Sequence, residues 1–171
     1  MALLTKVKLL NLFYSTSIQA TNVVTERIMS IENIDERLSK GDPALVHEIA
    51  KVNLSNDKTR NNYSFATKYC AYHQPHLYPI YDSIVAQVFM RLFEKGLLPK
   101  YKYSRPTSEE QNIFTKKDFS EKLKDYSFFC YIYEYFKKEY DLVELTNRQI
   151  DSYLWGAFKI AGGNFRINEL A

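Results

Sequence analysis

Apolar positions along the chain recur at helical rather than strand spacing. Val24, Ile28 and Ile31 make one seam, and residues 5–15 and 17–30 read as two helices or one bent helix. In "KGDPALVHEIAKV" Asp42 is placed to cap, Pro43 suits the first helical position, and Leu45, Val46, Ile49 and Val52 form the apolar face. The polar run "LSNDKTRNN", residues 54–62, reads as a loop. Residues 63–73 read as a helix that Pro75 stops, followed by an extended segment to Pro79. A helix over 81–95 turns Ile84, Val85, Val88, Phe89 and Leu92 inward and ends at Gly96.

Residues 97–114 are loop-rich. "TKKD" at 115–118 is a capping box that opens a long helix to about residue 140. Its seams are Phe119, Leu123, Tyr126, Cys130 and Tyr133, and Phe129, Ile132, Phe136 and Tyr140. "TNRQ" at 146–149 is a second box, opening a helix with Ile150, Tyr153, Leu154, Ala157 and Phe158 inward and Trp155 partly buried, ended by Gly162-Gly163. Sustained alternation at period two is absent, and no linker is long enough to split the chain. The pattern predicts one all-α domain over residues 1–171 with about six or seven helices.

Composition agrees with a soluble globular protein: 46% apolar and 25% charged residues, with 14 Tyr and 11 Phe. No window has 18 uncharged apolar residues, so no transmembrane helix and no membrane partner is expected. "MALLTKVKLLNLFY" has no continuous apolar stretch or small-residue cleavage site and reads as a first helix, not a signal peptide. With two cysteines, Cys70 and Cys130, both within helical patterns, buried free thiols and a cytoplasmic location are expected. The net charge of +3 is uneven: residues 63–117 carry eight basic and four acidic side chains. That excess is compatible with an anionic ligand.

The chemistry-bearing stretch is "SFATKYCAYHQPHLYPIYDS", residues 64–83. On the predicted helix 63–73, Phe65, Tyr69, Tyr72 and His73 share a face, and Lys68 borders it. A lysine beside apolar and aromatic groups loses hydration, which favours the neutral, nucleophilic amine. Asp82 sits where a carboxylate caps a helix N-terminus or stabilises positive charge on a reacting group. The plainer alternatives are a surface lysine with a snorkelling amine and a simple cap. His73 and His76 have the spacing of two ligands on one helical face, but Pro75 lies between them and no third ligand is near, so no metal site is expected. No cofactor fingerprint is present. "KYKYSRP" at 100–106 interleaves Lys100, Lys102 and Arg105 with two tyrosines, the pattern of a phosphate-contacting, base-stacking loop or of an ordinary solvated one.

The segments "ATK" at 66–68 and "PIYD" at 79–82 resemble the helix-hairpin-helix DNA glycosylase superfamily, most closely its 8-oxoguanine glycosylase-type branch. "NRQIDSYLWGAFK" at 147–159 is similar to the closing helix of small bacterial proteins with that fold. The resemblance implies a glycosylase-like fold and double-stranded DNA as partner. It implies Lys68 as the nucleophile toward the sugar C1′ and Asp82 as the catalytic carboxylate. Asn61, Asn62 and Ser64 then fall at the phosphate-holding hairpin, which here lacks glycine, and Tyr69, His73 and Tyr81 fall at the base pocket. The alternative is a non-catalytic interaction or DNA-binding module that keeps the fold without the activity.

Overall fold

A computed structural model describes residues 2–54, 58–98, 102–103, 112–113 and 115–160, with only the backbone at 102–103 and 112–113. The chain is mostly helical, and it divides into two compact units: Met1–Tyr81 with Thr146–Arg148, and Asp82–Leu145 with Gln149–Ala171.

The first unit holds α1 (Ala2–Phe13), α2 (Thr21–Met29), α3 (Ile34–Ser39), α4 (Pro43–Ala50), the strands β1 (Lys51–Asn53) and β2 (Thr59–Asn61), and α5 (Tyr63–His73). The start predicted at Asp42 forms: its side chain accepts from the Ala44 N–H at 2.9 Å, with Pro43 at the first helical position. Leu45, Val46, Ile49 and Val52 are all buried, but Val52 belongs to β1 and not to α4. The loop expected over 54–62 is therefore partly strand. β1 and β2 pair antiparallel, Lys51 with Asn61, Val52 with Arg60 and Asn53 with Thr59. A three-residue strand with one apolar position carries no periodic signal, so the ladder is invisible in the hydropathy pattern.

An ion cluster ties α3 to α4. The Arg37 guanidinium pairs with Asp42 at 2.7 Å and doubly with Glu48, at 2.6 and 3.1 Å. Two parallel N–H donors to one carboxylate make a geometrically specific bond. Glu48 lies below the ordinary carboxylate range because Arg37 hydrogen-bonds and attracts it. At Asp42 burial pushes upward, but the Arg37 and backbone hydrogen bonds outweigh it and the net shift is down.

The second unit holds α6 (Ser83–Glu94), the strand pair β3 (Lys102–Tyr103) and β4 (Asn112–Ile113), α7 (Lys116–Lys122), α8 (Tyr126–Glu139) and most of α9 (Asn147–Ile160). The five α6 residues expected inward are all buried. Phe89 meets Phe129, Tyr133 and Phe136 at ring distances of 5.9, 6.0 and 5.5 Å, and Phe93 stacks on Phe119 at 4.2 Å. The capping box at Thr115 and Asp118 forms with both halves present. The long helix expected from it does not. It breaks after Lys122 and restarts because Asp125 caps α8, accepting from Ser127 and Phe128 at 3.1 and 3.3 Å. On α9, Ile150 and Leu154 are buried as expected. Tyr153, expected inward, is 49% exposed; Trp155 is 52% exposed, with the Lys159 ammonium 5.3 Å from its ring centroid.

Candidate functional site

Helix α5 has the sequence "YSFATKYCAYH", and Tyr63 and residues 65–71 are all buried. Its neighbours in the first unit are α4 and α1. Such a helix has no solvent face at its middle, so Lys68 is only 7% exposed. The snorkelling alternative does not describe it. Its amine donates to Ser64 Oγ, one turn back, at 3.2 Å. It also stands 5.5 Å from the centroid of the Tyr14 ring, a cation–π distance. Tyr14 comes from the link between α1 and α2. Asn11 fixes that link: its side chain donates to the Ile18 carbonyl at 2.9 Å and accepts from the Ile18 N–H and the Thr16 hydroxyl at 2.8 Å each.

Thr67, fully buried beside Lys68, makes the second local connection. Its hydroxyl lies 3.0 Å from the Ser64 carbonyl and 3.2 Å from that of Tyr81, and its oxygen accepts from the Tyr81 N–H at 3.2 Å. Both backbone polar groups of Tyr81 thus meet one threonine side chain. Tyr81 also tilts against Tyr63, 4.7 Å between rings, and Tyr63 stacks on His47 at 5.6 Å.

The segment from α5 to Tyr81 is held elsewhere as well. The Tyr78 hydroxyl is 3.2 Å from the carbonyls of both Arg37 and Asp42. Gly41, with φ at +70°, would bring a Cβ to 3.3 Å from the Leu77 Cβ, so the α3–α4 turn lies directly against this segment. Asn147 donates to the His76 carbonyl at 3.2 Å, and Arg148 to the Tyr14 hydroxyl at 3.4 Å. Tyr14, Tyr78, Asn147 and Arg148 line a crevice of about 10 Å³, room for about one water.

Asp82, the first residue of the second unit, caps α6 as its position predicts. Its Oδ1 accepts from the Ile84 and Val85 N–H groups at 2.9 and 3.0 Å. Of the expected pocket residues, Tyr69 is buried and its hydroxyl is pushed up to about 12 by that burial. His73 is half-buried beside Tyr69, and burial, helped by Lys6 and opposed by Asp35, lowers its pKa. Tyr72, expected on the same inner face, is 56% exposed. Asn61 lies exposed on β2. The Asn62 N–H extends the ladder to the Ala50 carbonyl at 2.8 Å, and Ser64 faces the Lys68 amine. Lys100, Arg105 and the Lys102 side chain lie outside the described residues; the Lys102 backbone is in β3. Among the described residues no three His, Cys, Asp or Glu side chains are grouped to hold a metal. Among them, too, no helix is long and apolar enough to cross a membrane. Cys70 is buried, Cys130 half-buried, and both are free thiols.

Sequence reasoning passed over Tyr14, Thr67, Asn147 and Arg148. Tyr14, Asn147 and Arg148 are remote in sequence from α5, and no spacing rule connects them. Thr67 carried one available signal: a polar residue at a fully buried helical position needs a partner.

The family model HI_0787_N, an N-terminal domain, matches residues 1–77, a span that includes Lys68 and stops before Asp82. A protein of Haemophilus influenzae (strain Rd KW20), described as an uncharacterized protein, is 36% identical over 145 residues. That alignment covers 85% of this chain, and the chain spans 60% of the relative's length. No solved structure matches.

Proposed function

We propose that the protein is a cytoplasmic DNA glycosylase-like protein that acts on or binds damaged or modified double-stranded DNA, with the helix-hairpin-helix glycosylase architecture its motifs resemble. The observation that carries this reading is the withdrawn Lys68 amine, 7% exposed, donating to Ser64 Oγ at 3.2 Å and 5.5 Å from the Tyr14 ring centroid. The resemblance of "ATK" and "PIYD" supplies the reaction class. A neutral Lys68 amine gives its lone pair to the sugar C1′. The C1′–N bond to the base breaks, and the base leaves with that electron pair and takes up a proton. The lysine nitrogen loses a proton, the C1′–O4′ bond opens with O4′ keeping the electron pair and taking up a proton, and a protonated imine is left between Lys68 and C1′. Asp82 stabilises the positive charge that develops on the sugar.

Borohydride reduction of such an imine fixes the protein to DNA. Wild-type protein is expected to be trapped on some member of a panel of damaged and abasic duplexes, and Lys68→Gln to abolish trapping. Absence of trapping by the wild type on every duplex would sink the catalytic reading. A second reading has its own support. Ser64 and Tyr14 already receive the Lys68 cation, the arrangement of a lysine that serves packing. That reading, a non-catalytic DNA-binding or interaction module, predicts that Lys68→Met changes stability while neither protein is trapped.

A further inference from the structure

The β1–β2 ribbon takes no part in the lysine cluster, yet it runs directly into α5. All three residues of β2 are exposed, so the strand adds no side chain to the core. Lys51, Lys58 and Arg60 are exposed along the ribbon and form no ion pair with another described residue. By strand alternation Arg60 shares a face with Val52, its cross-strand partner, and Lys51 shares the other with Asn61. At the ribbon's base, where β1 meets α2, lies an open groove of about 420 Å³ lined by Glu26, Arg27, Ser30, Lys51 and Asn53, among others. Arg27 is anchored there, its Nε donating to the Glu48 carbonyl at 2.9 Å. Against these four cations stand Glu26 in the groove and the Glu48 carboxylate, which interacts electrostatically with Arg27.

Exposed cations on both faces of a two-stranded ribbon match a polyanion in charge. Lys58 and Arg60, two residues apart, are separated by roughly 6.6 Å if the strand spacing extends to Lys58. A DNA strand presents a phosphate about every 3.4 Å of helix axis. Amide and hydroxyl groups between the cations, Asn53, Thr59 and Asn61, are of the type that position a phosphate backbone without reading bases.

We propose that the β1–β2 ribbon, with Arg27 and the groove at its base, binds the phosphodiester backbone of duplex DNA independently of sequence. Duplex DNA as the polyanion rests on the function proposed above; the cationic ribbon does not. It is a strand-based phosphate contact where the sequence resemblance implied a turn between helices.

The test is fluorescence anisotropy of the full chain with an undamaged labelled duplex across a salt series, run beside the borohydride trap. The comparison is wild type against Lys51→Gln/Lys58→Gln/Arg60→Gln, substituted at exposed positions and expected to give the wild-type circular dichroism spectrum. The wild type is expected to bind at low salt with no preference between duplex sequences. The triple variant should bind at least tenfold more weakly, and its plot of log affinity against log salt should be shallower by roughly two to three units. An unchanged slope, no duplex binding by the wild type, or preference for an acidic peptide over the duplex overturns the proposal. If the ribbon binds duplex but nothing is trapped, this inference stands and the lysine chemistry falls. If trapping occurs with the slope unchanged, the chemistry stands and this inference falls.

Discussion

Thr67 contributes neither charge nor exposed surface, yet it holds both backbone polar groups of Tyr81. Thr67→Val keeps the shape and removes the hydroxyl. It should cost about 1–3 kcal/mol, since the Tyr81 N–H loses its acceptor in a buried setting. Urea denaturation measures this, and a midpoint within error of wild type would contradict it. His73 makes a pH prediction. Its folded pKa is depressed, so below the unfolded value of about 6.5 the unfolded chain binds the proton more readily than the folded one. The His73 contribution is complete above that value and is lost as pH falls from it toward the depressed folded pKa. His73→Phe should flatten that limb of a melting-temperature profile. Asp42 and Glu48 act lower. Both are depressed, so their contribution is present above their unfolded values, about 4, and disappears as pH falls through the folded ones. Arg37→Met should shift acid unfolding to higher pH.

At the scale of elements, caps decided what the hydropathy pattern left open. Asp42, Thr115 and Asp118 were legible because each stands at the start of a periodic run. Asp125 was not, because apolar seams continue across it from Phe119 to Tyr133 and the period alone reads as one helix. Asp125→Ala should therefore cost about 1 kcal/mol, a typical capping loss, measured by chemical denaturation. Asp82 has two possible roles that one substitution separates. Asn caps a helix about as well as Asp but carries no charge. Asp82→Asn is expected to leave the denaturation midpoint nearly unchanged and to weaken borohydride trapping; a large stability loss with trapping retained would assign Asp82 to the cap alone. The β1–β2 ribbon was illegible for a different reason: its register is fixed by backbone ladder bonds, and only Val52 among its six residues is apolar.

For the whole molecule, the helical character and most of the core were readable. The residues named inward on α4 and α6 are buried because their 3.6-residue period coincides with the packed face. What periodicity could not show is that the first unit draws on residues 146–148. Asn147 and Arg148 reach His76 and Tyr14 from a point more than seventy residues away in sequence. A fragment ending at Tyr81 lacks both bonds. It should show faster amide hydrogen exchange around His76 than the same residues in the full chain, and equal exchange would remove those bonds from the account of the unit's stability.

Trp155 is the chain's one tryptophan, it belongs to the second unit, and half its surface meets water beside Lys159. Its emission is thus an optical label for one unit alone. A quencher dissolved in the buffer reaches it before any unfolding, which limits the signal change on denaturation. The first unit, with Lys68 and the ribbon, contains no tryptophan and is dark to that measurement. Its melting must be followed through a label introduced there, because tyrosines occur in both units, and a tryptophan-detected transition cannot be read as the stability of the lysine cluster.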